Sequence, residues 1–147
     1  MKLDEALRNV TRLGFDTAPV IYLIEAHPRY DALVLDILNR MDGDRFAGTT
    51  SVITLSEVLV QPVLRGDIRL QQAYRELLLQ SQRVRTMPIG PSAAEHAANL
   101  RARYRLRLPD ALQLAIALGA GCEAFLTNDM ELRRVTELRI LVLDDLE

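Results

Sequence analysis

Short apolar, strand-like runs alternate with longer helical patterns along most of this chain, and the alternation leaves few folds open to it. It is the pattern of βαβ units, which require a parallel sheet with helices packed against its faces. LGFD (13–16) reads as the first strand, followed by a helix with Pro19 in its first turn, where a missing N–H costs little. YDALVLDILNRM (30–41) is a second helix ending in the turn DGD, and FAGTT (46–50) is the second strand. Thr50 or Ser51 can cap the helix VITLSEVLVQPVL (52–64), and Gly66 breaks the chain before the helix DIRLQQAYRELLLQSQ (67–82). VRTMPI (84–89) is the third strand and SAAEHAANLRARY (92–104) the helix after it. Pro109 opens DALQLAIAL (110–118), which Gly119 and Gly121 close, and EAFLT (123–127) and RILVL (139–143) complete the strands. The expectation is an α/β sandwich, a five-stranded parallel sheet with helices on both faces. No repeat, low-complexity tract or linker divides the 147 residues, so they are expected to form a single domain.

Charge narrows the partners only a little. A formal net charge of -2 excludes a strongly basic surface, so any nucleic-acid contact must come from a local patch. Lys2 is the only lysine among 18 basic residues; arginine suits bidentate phosphate contacts, although genome composition produces the same bias. Cys122 is the only cysteine, which rules out an intrachain disulfide and agrees with a reducing cytoplasm. MKLDEALRNVTRLGF lacks the long apolar core of a secretory signal. The longest mostly apolar run, ALQLAIALGAGCEAFL, is interrupted by Gln113, two glycines and Glu123 and falls short of the roughly 20 residues a bilayer needs. A cytoplasmic protein with no membrane contact is expected.

Four acids acquire meaning from that topology. Asp16 ends the first strand, Glu57 lies in the second turn of the helix after the second strand, and Asp129 follows the fourth. Strand ends and the helix starts after them share one edge of a parallel sheet, so these three should converge. Asp110 follows a helix, and topology alone does not place it. Singly, Asp16, Asp110 and Asp129 are also what helix capping would select. Glu57 is harder to set aside, because it sits beside Ile53 and Leu64 while Val58, Leu59 and Val63 fill most of the helix. A carboxylate bordering a buried stripe needs a partner: an arginine, a hydroxyl such as Thr54, or a cation.

Clustered carboxylates repel, and a divalent metal is the natural means of keeping them ionised. All-oxygen ligation suits Mg²⁺ or Mn²⁺, whereas His27, His96 and Cys122 are too isolated for a zinc site. An acid-bound Mg²⁺ with open positions is suited to phosphodiester hydrolysis.

FDTAPVIYLIE, TTSVITLSEVL, LRLPDALQLAIAL and AFLTND, in this order, resemble the PIN-domain family and, within it, the VapC-type ribonuclease toxins, from about residue 13 to the end. The resemblance implies a PIN-like sandwich with sheet order 3-2-1-4-5. It also implies a metal-binding and catalytic quartet of Asp16, Glu57, Asp110 and Asp129, with Thr17 and Asn128 in support. It further implies an RNA substrate, a cognate antitoxin that obstructs the acidic site, and a homodimer. Two features depart from the family's pattern. About a dozen residues precede the first strand, so either a short extra helix packs over residues 1–12 or the start lies downstream. No acid directly follows Asp129, and Glu131 is the nearest.

The function expected is a metal-dependent endoribonuclease, the toxin of a type II toxin–antitoxin pair. The alternatives are a non-catalytic PIN-like binding or assembly module and an RNA-processing nuclease without an antitoxin. A receiver domain would share an acidic Mg²⁺ site on a parallel sheet, but it needs a late lysine that this chain lacks. GAGCEA fits G-x-G-x-x-A, yet it follows a helix and precedes a strand, the reverse of a dinucleotide fingerprint. RARYRLR, with Arg101, Arg103, Arg105 and Arg107, either tracks an RNA backbone or is a solvated helix end. His27 and His96 are expected on helix surfaces without a catalytic role, and Cys122 as a buried small residue.

Overall fold

In the computed structural model, which describes residues Met1–Glu147, five parallel strands form one sheet in the order β3-β2-β1-β4-β5. The strands are β1 (Arg12–Phe15), β2 (Ala47–Ser51), β3 (Val84–Met87), β4 (Ala124–Thr127) and β5 (Arg139–Val142). Seven helices accompany them, the first ahead of β1: α1 (Leu3–Ala6), α2 (Thr17–Ile24), α3 (Asp31–Asn39), α4 (Val52–Arg65), α5 (Ile68–Arg75), α6 (Pro91–Tyr104) and α7 (Leu108–Gly119). The expected sheet order is therefore present, and β1 lies between β2 and β4 at the switch point.

Side chains alternate across the pleat and divide the core in two. Leu13 and Phe15 of β1, with Ala124 and Leu126 of β4, pack into a large cluster with Val20, Ile37, Val58 and Tyr74 of the helices on that face. Phe125 turns the other way, into a smaller cluster rich in alanines of α6 and α7. Gly14 faces this second layer. A Cβ there would stand 2.8 Å from the Phe125 ring and 2.9 Å from the Ala117 methyl, so only a glycine lets α7 lie this close to the sheet.

Several details differ from the sequence reading. β1 stops at Phe15, and Asp16 is the extended residue that precedes α2. Ser51, not Thr50, caps α4 by accepting from the Ile53 N–H at 3.1 Å. The helix expected over 67–82 is α5 followed by a π-helical turn, Glu76–Gln80, whose Leu78 carbonyl accepts the Thr86 hydroxyl at 2.6 Å. Leu3 and Ala6 of α1 are buried in the larger core, so the N-terminal residues do form a short packed helix. His27 lies in the connection between α2 and α3, wedged against the rings of Tyr22 and Tyr30, and not on a helix surface. Val63 and Leu64 are exposed, because the buried stripe of α4 runs through Thr54, Val58 and Pro62. No helix is long and apolar enough to cross a membrane.

Candidate functional site

Asp16, Glu57, Asp110 and Asp129 line one cleft of about 400 Å³ at the carboxyl edge of the sheet. Three arrive as the topology requires. Asp110 is brought there by the reversal between α6 and α7: Arg105 takes the left-handed conformation (φ 54°) at the end of α6, and α7 begins three residues later. Thr17 and Asn128 line the same cleft, as do residues with no role expected from sequence, among them Ile21, Tyr22 and Gln113.

The four acids are held differently. Asp16 Oδ1 accepts from the Thr17 N–H at 2.9 Å, and Oδ2 accepts from the Thr127 hydroxyl at 2.7 Å. A standard cap accepts from the second or third helical N–H, as Ser51 and Asp67 do here; Asp16 takes only the first. Asp129 does cap its 3₁₀ turn, accepting from the Glu131 N–H at 3.0 Å. Asp110 is no cap at all, since Arg107 holds that position and Asp110 lies within the first turn of α7. Glu57 is exposed on α4, and its partner is the Thr17 hydroxyl at 2.7 Å.

Burial is the main influence raising the pKa of Asp16 above its ordinary value; hydrogen bonds from Thr127 and Thr17 work against the shift, and the nearby charges of Asp110 and Glu57 add to it. Asp110 is likewise raised, first by burial and then by Asp129 and Glu57, with Arg107 opposing from 3.4 Å. Arg107 is the one cation paired with any of the four, and its side chain is 82% exposed.

Do these groups suit a divalent cation? The donors are all oxygen. Asn128 adds a buried Oδ1 without any hydrogen-bond partner, while its amide nitrogen makes only a long 3.5 Å contact to the Tyr22 hydroxyl. A buried acceptor left unbonded beside desolvated carboxylates is what a hard cation would satisfy. No three His, Cys, Asp or Glu side chains stand close enough to enclose an ion by themselves. That is compatible with Mg²⁺, which keeps several waters and uses one or two carboxylates directly.

The arginine ladder separates. Arg101 donates to the Leu106 carbonyl at 3.2 Å and Arg103 pairs with Glu137 at 3.5 Å. Arg105 and Arg107 instead join Arg134, which the sequence reading passed over, around a hollow of about 160 Å³ next to Asp110 and Asp129.

The PIN-domain family model matches residues 15–138. Solved structures share the fold. A toxin–antitoxin complex from Klebsiella pneumoniae is 25% identical, with TM-score 0.67 over 90% of this chain and 97% of that one. VapC20 of Mycobacterium tuberculosis, a sarcin–ricin loop cleaving toxin, is 18% identical, with TM-score 0.66 over 87% of this chain and 98% of that one. VapBC2 of Rickettsia felis, bound to a promoter DNA fragment, is 18% identical, with TM-score 0.64 over 89% and 98%. Comparison with curated protein sequences gives no match.

Proposed function

This chain belongs to the PIN-domain family, and we propose that it is a metal-dependent endoribonuclease that hydrolyses RNA phosphodiester bonds, the VapC-type toxin of a toxin–antitoxin pair. The observation that carries the reading is Asp16: a half-buried carboxylate beside two further acids, with no cation paired to it and only the first helical N–H to cap. Carboxylates perturbed by burial and by like charges in a cleft cluster at functional sites.

Asp16 and Asp110, the two desolvated acids, would hold Mg²⁺ or Mn²⁺, with Glu57 and Asp129 at the rim and the Asn128 carbonyl in reserve. When bound, the ion supplies Lewis acidity toward a phosphate oxygen and lowers the pKa of the attacking water. The chain's own groups do the rest. Thr17 fixes Glu57, and Thr127 fixes Asp16 while accepting the Asp129 N–H at 3.0 Å, so two acids are oriented by one hydroxyl. Arg107, exposed and only loosely paired, is free to meet the phosphate, and Arg105 and Arg134 extend that positive rim along an RNA backbone.

The partners follow from the same reading: an RNA substrate, a cognate antitoxin, which the toxin–antitoxin complexes among its structural relatives support, and a second copy of this chain. The test is cleavage of a mixed cellular RNA pool by purified protein, with and without Mg²⁺ or Mn²⁺, comparing wild type with Asp16→Asn. Metal-dependent cleavage that disappears in Asp16→Asn is the expected result. A clean wild-type preparation that leaves the pool intact with either metal favours the non-catalytic module.

A further inference from the structure

Helix α7 is apolar along most of its length, yet Gln113 lies within it only 3% exposed. A buried amide that lacks partners is costly, and a leucine or methionine would fill similar space without that cost. Gln113 is instead bonded at both ends. Its Oε1 accepts the Ser51 hydroxyl at 2.6 Å, and its Nε2 donates to Thr54 Oγ1 at 2.6 Å and to Thr17 Oγ1 at 3.3 Å.

Counting protons gives this network a direction. Ser51 Oγ accepts from the Ile53 N–H and gives its one proton to Gln113 Oε1. That fixes the amide with its NH₂ toward the two threonines. Thr17 receives from Gln113 and stands 3.1 Å from Thr54 Oγ1, while its own proton goes to Glu57 Oε1. The order is therefore Ser51 to Gln113 to Thr17 to Glu57, running from the buried cap of α4 out to an exposed carboxylate.

We propose that Gln113 is a positioning residue for the acidic site: it aims the Thr17 hydroxyl at Glu57 and so holds that exposed carboxylate on the rim, ready for a divalent cation. The inference rests on the metal-dependent reading above. Gln113 touches neither substrate nor ion; it acts through Thr17. Glu57 otherwise has a solvated, freely rotating side chain, and partners of this kind behind a ligand typically change metal affinity by about 10–100-fold.

The experiment is calorimetric titration of the full chain with Mn²⁺ alone, for wild type, Gln113→Leu, Thr17→Val and the double variant, with a thermal melt of each. Gln113→Leu should weaken Mn²⁺ binding about tenfold, Thr17→Val similarly, and the double variant no further than Thr17→Val, because both act on one route. Wild-type affinity in Gln113→Leu, or losses that multiply in the double variant, would overturn the proposal. So would a lower melting temperature with unchanged Mn²⁺ affinity, the outcome of a merely structural glutamine. If Gln113→Leu does not fold, Ser51→Ala, which frees the amide to turn over, must still weaken Mn²⁺ binding; unchanged affinity there counts against the relay. Wild type that binds no Mn²⁺ removes the metal-dependent reading and the relay together, whereas wild type that binds and cleaves beside an equally competent Gln113→Leu removes only the relay.

Discussion

Two carboxylates bridge the same pair of central strands, at opposite ends. Before β4, Glu123 reaches across to the start of β1 and accepts from the Thr11 N–H at 3.0 Å, the Thr11 hydroxyl at 2.7 Å and the Arg12 N–H at 2.7 Å. After β1, Asp16 reaches across to the end of β4 and accepts from the Thr127 hydroxyl and its neighbour's N–H. The electrostatic results are opposite. Burial tends to raise the Glu123 carboxyl, but its hydrogen bonds from Thr11 and Arg12 together hold it below its ordinary value. For Asp16 burial prevails, with other acids adding to it. One bridge is saturated and serves the fold; the other is left short of donors at the edge where a ligand can enter.

Replacing each acid should separate the two roles most widely in activity. Asp16→Asn should reduce RNA cleavage by about 10²-fold or more, while the melting temperature of the metal-free protein holds or rises because an uncompensated charge has gone. Equal loss of stability and activity would make Asp16 structural after all. Glu123→Gln should do the reverse: cleavage as in wild type, and stability lower by about 1 kcal/mol in denaturant titration, allowing for the exposure of the site.

Acidification should sharpen the contrast. A carboxyl whose folded pKa is raised costs stability when ionised, and that cost fades as pH falls through the folded value toward the ordinary 3.8 of Asp16. A carboxyl whose folded pKa is lowered stabilises above its ordinary value, 4.5 for Glu123, and the contribution is lost as pH falls through the folded value. Melting curves of metal-free protein should therefore show the gain in Asp16→Asn fading on acidification until the pH reaches the ordinary 3.8, and the deficit of Glu123→Gln fading only below 4.5. The smallest effect belongs to the hydroxyls. Thr127→Val should cut cleavage several-fold by releasing Asp16 and the Asp129 N–H, whereas Thr11→Val should cost only about 0.5–1 kcal/mol and leave cleavage alone.

The strands and the parallel sheet were legible from sequence because strands alternating with helical patterns read as βαβ units, whereas the order 3-2-1-4-5 was implied only by the family resemblance. Asp16, Glu57 and Asp129 were legible from the same alternation. Asp110 entered only through the resemblance and not through topology, because its placement depends on the left-handed Arg105, and nothing in RARYRLR announces a reversal at an arginine. The buried stripe of α4 differs from the one expected, since apolar residues at Val63 and Leu64 signal burial only when a neighbouring layer exists to cover them. Gln113 did leave a trace, as the one polar interruption in the apolar stretch 111–118, but its four-element network of partners cannot be seen until α7, α4, α2 and β2 are brought together.

Gly14 has a reach beyond its own strand. It acts as a spacer of zero thickness between β1 and α7. Asp110 and Gln113 are both carried on that helix, one lining the mouth of the cleft and the other anchoring its back. A methyl group at residue 14 would have to turn the Phe125 ring or lift α7 from the sheet, and lifting α7 would widen the aperture between Asp110 and Asp16. The calibre of the acidic cleft is thus gauged by an atom that β1 does without.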